Sequence, residues 1–374
     1  MEDTFICEYI WLDKWNKLRS KTKVLHQWDF ENKGMPMWNY DGSSTGQANG
    51  KESEIFLKPV KITPDPFRQH PNAFLVLCDN WIIDKEKSIR RIKNKEQIVY
   101  KPHPDNTRYK TNLLFKNNYV NEQNPWFGFE QEFFVTKQKA MKDIPLGMCK
   151  NHEDNSWLSL SGEKQQNNYC GIGPKYIFSR KLADEVLMRL LYSNITCTGL
   201  NFEVAPGQCE FQIFGENIDA ADSLILFRYI LQRSAEEYEY DINFHPKPMN
   251  GDWNGSGCHA NYSTKEIRQN NSWKLIEQYI SDLKNNHNIH IDNYGDDNKK
   301  RLTGEHETAS WKTFSSGVAN RGASIRIPSQ TYYKKSGYIE DRRPSSNCDP
   351  YLVTYHLIQS TLKPDNHPNE STVV

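Results

Sequence analysis

Trp126-Phe127-Gly128-Phe129-Glu130-Gln131-Glu132-Phe133 is the stretch on which the reading of the fold turns. Aromatic residues alternate with small or polar ones, the period of a strand, in which residues two apart share a face. Glu130 and Glu132 then point the same way. Taken alone, the segment is better read as a solvated strand face. Three further segments change its meaning.

In Asn201-Phe202-Glu203-Val204-Ala205-Pro206-Gly207-Gln208-Cys209-Glu210-Phe211-Gln212 the Pro-Gly pair marks a turn between two short strands. A hairpin centred there sets Glu203 opposite Glu210. Like charges so placed destabilise a ladder unless a cation sits between them; a different register separates them, and this segment alone does not choose. Trp253-Asn254-Gly255-Ser256-Gly257-Cys258-His259-Ala260-Asn261-Tyr262-Ser263 carries a histidine flanked by glycines, where backbone approaches a ligand closely. A lone histidine is nevertheless more often a hydrogen-bonded core residue. Tyr338-Ile339-Glu340-Asp341-Arg342-Arg343-Pro344 reads by itself as charged surface.

Gathered into one site, Glu130, Glu132, Glu203, Glu210, Glu340 and His259 require cations. Two carboxylates 4 Å apart repel by about 4 kcal/mol at an effective dielectric near 20. Oxygen ligands with a single imidazole favour Mg²⁺ or Mn²⁺ over Zn²⁺. The sequence holds no GxxxxGK[ST] loop, so a bound nucleotide would depend on metals and arginines for its phosphates. Arg301, Arg321, Arg326 and Arg342 are available. That combination points to phosphoryl chemistry.

The rest of the chain supplies a frame. Lys+Arg and Asp+Glu balance at 47 each over 374 residues, leaving no basic field for nucleic acid or an anionic membrane. No apolar run approaches the roughly 18 residues that span a bilayer. The start, Met1-Glu2-Asp3-Thr4, lacks the basic n-region of a signal peptide, and the eight cysteines are scattered; both favour reduced thiols in the cytoplasm. Strand signals at Glu8–Leu12, Ile55–Val60 and Phe74–Cys78 describe a small β-rich domain, with Lys-rich polar sequence after the first. Lys85–Lys95 reads as a linker or surface loop. Beyond it, residues 178–194 set Leu182, Val186, Leu190 and Leu191 on one helical face, and a second helix covers 219–238. Ser272 caps a third, and Asp349-Pro350 opens the last. Residues 143–168 read as loop, and the tail after Pro364 as disordered.

At these residues the sequence resembles the eukaryotic-type glutamine synthetases, from about Tyr9 to Leu362. The likeness rests on long blocks: Trp38-Asn39-Tyr40-Asp41-Gly42-Ser43-Ser44-Thr45, Asp65-Pro66-Phe67-Arg68, the segment at 126–132 and the 203–212 hairpin. It continues through 254–263, Arg301-Leu302-Thr303-Gly304-Glu305-His306-Glu307-Thr308, 320–328 and 338–350. The resemblance implies an α+β protein: an N-terminal β-grasp domain over 1–104, and a catalytic domain over 105–374 whose curved antiparallel sheet is flanked by helices. It implies ATP-dependent ligation of ammonia to L-glutamate through a γ-glutamyl phosphate, with at least two Mg²⁺ or Mn²⁺ per site. Glu132, Glu203 and Glu210 match the ligands of one metal, and Glu130, His259 and Glu340 those of the other. Trp253, Asn254, Gly255, Arg301, Arg321 and Arg342 match glutamate-binding positions. Trp126, Glu130, Glu210, Gln212, Asn261, Ser263, Arg321, Arg326 and Tyr338 match the nucleotide side. Glu307, on a flap, and Asp41, given by a neighbouring subunit, match the ammonium site; with Arg342 they form the catalytic set. The family's form is a homo-oligomer, a decamer of two stacked pentameric rings.

Three departures stand out. An insertion falls within Lys85–Tyr100, Cys209 replaces the family's usual Trp, and Gln165–Asn168 replaces a Gly/Pro-rich stretch. Two rivals are a ligase for another amine and a non-catalytic relative; intact Asp41 and Glu307 count against the first, the complete ligand and flap set against the second.

Overall fold

The computed structural model describes residues 4–68, 70–92, 98–139, 142–162 and 165–366. Packing divides the chain in two: one unit runs to Asn112 and takes in Tyr192–Asn194, and the other holds Leu113–Leu191 and the chain from Ile195.

The first unit is one mixed sheet of β1 (Thr4–Leu12), β2 (Leu18–His26), β3 (Trp38–Asp41), β4 (Glu54–Pro64), β5 (Ala73–Ile83) and β6 (Tyr100–Pro102). The order is β2-β1-β5-β4-β3, with β6 on β5; β1 and β5 run parallel and the other pairs antiparallel. Alternation buries Cys7, Tyr9 and Trp11 of β1 with Leu25, Tyr40, Ile55, Leu57, Val76 and Cys78. The Lys-rich polar stretch, to which the sequence assigned no element, is β2. It pairs on one side only, and an edge strand keeps its ladder bonds without an apolar pattern; Lys21 and Lys23 are half-buried over the Trp38 ring, 3.6 and 5.0 Å from its centroid. Lys85–Lys95 is likewise not all loop, since Lys85–Ile92 is a helix; free of Gly and Pro, it starts where the Asp84 carboxylate accepts from Lys87 N at 3.1 Å.

The second unit is built on β7 (Trp126–Lys139), with β8 (Lys142–Pro145) beside it and a separate pair, β9 (Met148–Lys150) and β10 (Trp157–Ser159). The strands β11 (Cys197–Phe202), β12 (Gln208–Glu216), β13 (Asp241–Asn243), β14 (Cys258–Ser263), β15 (Ser316–Val318), β16 (Ile325–Ile327) and β17 (Ile339–Asp341) complete the sheet. Its order is β11-β12-β7-β14-β17-β16-β15, with β13 and β8 also on β7. The sheet is antiparallel except at its end, where β15 and β16 are parallel. The expectation of loop over 143–168 is thus corrected by β8, β9, β10 and a 3₁₀ turn at Gln165–Asn168.

Alternation along β7 divides the sheet's two faces. Phe127, Phe129 and Phe133 turn to helices; Phe133 and Phe211 stack on Phe227 of the helix Asp219–Glu236, with ring centroids 6.3 and 5.1 Å apart. Helix Arg180–Tyr192 adds Leu182, Ala183, Val186 and Leu190, but Leu191 is 53% exposed, because its position has rotated past the apolar stripe. Helix Trp273–Asn285 begins after Ser272, whose hydroxyl does not cap it; it donates to Ile267 O at 2.8 Å and Lys335 O at 3.3 Å instead. Helix Pro350–Thr361 does start as read, with the Asp349 carboxylate accepting from Tyr351 N at 2.8 Å. The tail beyond Asn366 lies outside the described residues. None of the described helices is long and apolar enough to cross a membrane.

β17 is anchored from behind the sheet by a buried ion pair. Arg343 and Asp341 are each 1% exposed, joined by Nε–Oδ1 and Nη2–Oδ2 bonds of 2.8 and 2.7 Å, and Arg343 also donates to His290 Nδ1 at 2.8 Å. Removing one partner strands the other charge, so Asp341→Ala should cost about 3–5 kcal/mol, read as a large fall in melting temperature. The paired change Asp341→Leu with Arg343→Met should recover most of that loss; a single mutant that melts like the parent would refute the anchoring role.

Candidate active site

The even-numbered residues of β7 face the other way. Ladder pairing sets Glu130 between Gln212 of β12 and His259 of β14, and Glu132 directly opposite Glu210. Further along the sheet, Asn261 and Arg326 both pair with Glu340. This face floors a cavity of about 320 Å³ lined by Glu130, Glu132, Glu203, Glu210 and Glu307, with His259, Asn254, Gly255, Arg301, Arg321 and Arg342.

Of the two hairpin registers left open by the sequence, the structure takes the one that separates Glu203 from Glu210. Gly207 takes φ 73° after Pro206, and Gln208 N donates to Ala205 O at 3.1 Å. A Pro-Gly turn of this hand does not match the twist of a tight hairpin, which prefers the primed turns. The strands therefore close over a wider loop, Val204–Gly207, with Glu203 N on Gln208 O at 3.0 Å. Glu210 consequently faces Asn201 of β11, and Glu203 lies just past that strand's end. The like-charge opposition falls on Glu210 and Glu132.

Two donor groups result. Glu130, His259 and Glu340 bring ligand atoms within 4.8 Å of one another, and so do Glu132, Glu203 and Glu210. Burial pushes Glu132 up to about 8, with Glu203 adding repulsion; it raises Glu210 well above the carboxylate range, with Glu130, Glu132 and Glu203 contributing. Glu203 is raised by burial as well. His259 is driven well below its ordinary value by burial and then by Arg342, so it stays neutral with lone pairs to give. Carboxylates that resist ionisation side by side, with one neutral imidazole, fit hard divalent cations.

Cationic side chains surround these groups. The buried Glu340 carboxylate receives Arg326 Nη1 and Arg342 Nη1, each at 2.6 Å. Arg342 also donates to Arg321 O at 2.8 Å and Glu307 O at 3.3 Å, linking three segments of the rim. Arg301 is buried and lowered to about 10, its Nη2 spent on the carbonyls of Arg342, Arg343 and Pro344. Arg321 is exposed at the rim.

A neighbouring, more apolar cavity of about 300 Å³ is lined by Trp126, Glu130, Gln212, Asn261, Ser263 and Tyr338. Arg268 lies over the Trp126 ring at 4.1 Å. Trp126 Nε1 and Arg326 Nε are buried with no hydrogen-bond partner among the described residues, donors suited to a polyanionic ligand with a flat ring.

One expected residue, Trp253, lies outside the carboxylate-lined cavity. Trp253 packs on a small cluster of Phe134, Met148, Ala205 and Met249, and borders a separate cavity. Asp41 belongs to the first unit, where its carboxylate accepts from Ser43 N, Ser43 Oγ and Ser44 Oγ, which lower it to about 2. Sequence reading missed Gln208, whose amide spans Glu132 Oε2 at 3.3 Å and Gly255 O at 2.9 Å, as well as Gln166, Tyr169 and His306 on the cavity wall. The Pro-Gly turn flagged Gln208's position but not its direction.

An antiparallel sheet bearing two oxygen-rich donor groups beside several guanidiniums fits the class of enzymes that handle phosphorylated substrates through metals. Profile matching agrees: residues 4–81 match the glutamine synthetase beta-Grasp domain and 110–282 the glutamine synthetase catalytic domain. Among similar curated proteins, the glutamine synthetase of Kluyveromyces lactis is 44% identical over 350 residues, 93% of this chain and 86% of the relative. The chloroplastic/mitochondrial glutamine synthetase of Arabidopsis thaliana is 42% identical over 363 residues, 96% of this chain and 78% of the relative. That of Colletotrichum gloeosporioides is 41% identical over 359 residues, 96% and 91% respectively. The chain belongs to the glutamine synthetase family.

The raised carboxylates make a pH prediction. A folded-state value above the unfolded one means that stability falls as pH rises past about 4.5, and goes on falling until the folded value, about 8 for Glu132, is passed. In chelator the melting temperature should therefore drop between pH 5 and 8. Saturating Mn²⁺ should raise the melting temperature most at the alkaline end. A Mn²⁺ effect independent of pH would contradict the crowding of these groups.

Proposed function

We propose that the chain is a glutamine synthetase, joining ammonia to the side-chain carboxylate of L-glutamate at the expense of ATP. The observation that carries this reading is the meeting of two carboxylate-rich cation groups with Arg301, Arg321 and Arg342 in one cavity. Divalent cations, Mg²⁺ or Mn²⁺, held by Glu130, His259 and Glu340 and by Glu132, Glu203 and Glu210, would supply charge neutralisation for phosphoryl transfer. In our reading Trp126, Gln212, Asn261, Ser263, Arg326 and Tyr338 hold the nucleotide. Asn254, Gly255 and the cavity arginines orient glutamate.

The glutamate carboxylate oxygen bonds to the γ-phosphorus as the bond to ADP breaks, giving an acyl phosphate. Ammonium gives up a proton and its nitrogen bonds to the acyl carbon; phosphate leaves with the bonding electrons and takes the second proton that the nitrogen sheds. Glu307, at the cavity rim, attracts ammonium and takes up the first proton. Cover over the site keeps water from the acyl phosphate.

We place a neighbouring subunit's Asp41 at the same ammonium pocket, since this cavity's lining residues all come from the second unit. Active sites between subunits fit a homo-oligomer, and we take it to be a decamer of two five-membered rings. A reducing compartment, the cytoplasm in our reading, suits eight unpaired cysteines.

Phosphate release should require ATP, glutamate and ammonium together, and methylamine in place of ammonium should be a poorer substrate at neutral pH. Preference for a larger amine would instead mark a ligase of another amine, and no turnover a non-catalytic relative. Shared sites have their own test. Asp41→Ala and Arg342→Ala subunits, each inactive alone, should regain activity when co-assembled; mixed oligomers verified by mass that stay inactive would overturn the shared site.

A further inference from the structure

The loop that carries Glu307 has an unusual backbone. Gly304, His306 and Glu307 take φ of 94°, 51° and 57°. Glycine adopts this region freely and histidine tolerates it, but a glutamate there is disfavoured and persists only where its surroundings hold it. From the cavity, Arg342 Nη2 donates to Glu307 O at 3.3 Å. From outside, His306 Nε2 stands 3.3 Å from Asp252 Oδ1. His306 lines the substrate cavity and also the second cavity, of about 550 Å³, bordered by Gln165, Asp252 and Trp253.

Asp252 sits on a loop that needs its own support. Gly251 has φ 90°, and Trp253 N donates to Gly251 O at 2.9 Å. The Gln165 amide spans the loop: its Oε1 accepts from Asn254 N at 2.9 Å and its Nε2 donates to Asp252 O at 3.4 Å. Gln165 begins the 3₁₀ turn that replaces the family's Gly/Pro-rich stretch. Contacts therefore run unbroken from Gln165 through Asp252 and His306 to Glu307.

We infer that Gln165, Asp252 and His306 are positioning residues that hold the Glu307 carboxylate over the ammonium pocket, an inference that rests on the role proposed for Glu307. None of the three touches the reacting atoms in this scheme. The Asp252 side chain is 98% exposed, so its contact biases the loop without locking it. A loop that must open in every turnover calls for a bias of that size.

Asp252→Ala, in the full-length enzyme, should speed amide hydrogen exchange across 304–308. It should also raise the ratio of ADP released to glutamine formed roughly two- to fivefold, the factor one exposed charge pair supplies, with the KM for ATP unchanged. Asp252→Asn keeps an acceptor for the imidazole and should restore most of the coupling. Gln165→Ala should shift both readouts in the same direction, and the double variant should do little more than either, since both act through one chain of contacts. Wild-type exchange and product ratio in Asp252→Ala, while Glu307→Ala releases ADP without glutamine, would overturn the positioning role and leave Glu307 in place. Tight product coupling in Glu307→Ala would overturn the reading of Glu307 and the positioning role with it.

Discussion

The opposition of Glu132 and Glu210 across one rung of the central ladder is the constraint from which the site follows. Two carboxylates facing each other on a buried sheet cannot both ionise cheaply; burial first, and then the neighbouring glutamates, Glu203 for Glu132 and Glu130, Glu132 and Glu203 for Glu210, raise both above the ordinary carboxylate range. A protein built only for stability would place a hydrogen-bonding or apolar pair there. Keeping the pair makes sense when a cation completes the site, and Glu203 is delivered to the same point by the wide turn at Pro206-Gly207.

The same sheet solves the converse problem for its arginines. Arg342 is held in three directions, by Glu340, by the carbonyl of Arg321 and by the carbonyl of Glu307. Arg301 is held by three carbonyls from the segment after β17. Their charge is thereby fixed in the cavity wall without solvent to relax it, the condition under which fixed dipoles and charges act most strongly on a developing anion. The Asp341–Arg343 pair behind β17 makes this possible. It pins the strand that carries Glu340 and leads directly into Arg342, so that cation ligand and anion donor are held from one anchor.

Much of this was legible in the chain. Strand periodicity over Trp126–Phe133 gave the shared face of Glu130 and Glu132, and Pro206-Gly207 gave the hairpin. The register was not legible, because the turn's hand and the sheet's twist decide together how wide the loop must be. Nor was β2, since an edge strand with one partner needs no apolar pattern. Ser272 resembled a cap in sequence, yet carbonyls brought near by tertiary folding claimed its hydroxyl. The insertion after Asp84 read as loop for its charge, although a charged run without Gly or Pro forms a solvated helix readily. Gln165 stood out only as part of a departure from the family's pattern; its role was not legible, because an amide's value lies in what stands on its two sides, which only the folded chain determines.

Cys209 illustrates how the sheet tolerates departures from the family's pattern. It neighbours Glu210 in sequence, and a Cys in place of the usual Trp means that local packing must differ. Alternation sends it to the opposite face, where it is buried with Phe133, Phe211, Leu182 and Leu231 and lies 3.1 Å from Ser179 Oγ. A smaller side chain there changes packing between sheet and helices; the ladder bonds that fix Glu210 are backbone bonds and do not depend on it. Burial raises the Cys209 thiol to about 12, so it stays uncharged and adds nothing to the negative potential across the sheet. Chemistry and packing thus occupy opposite faces of one strand, and a one-residue step along the chain separates what selection can vary from what the cation site requires.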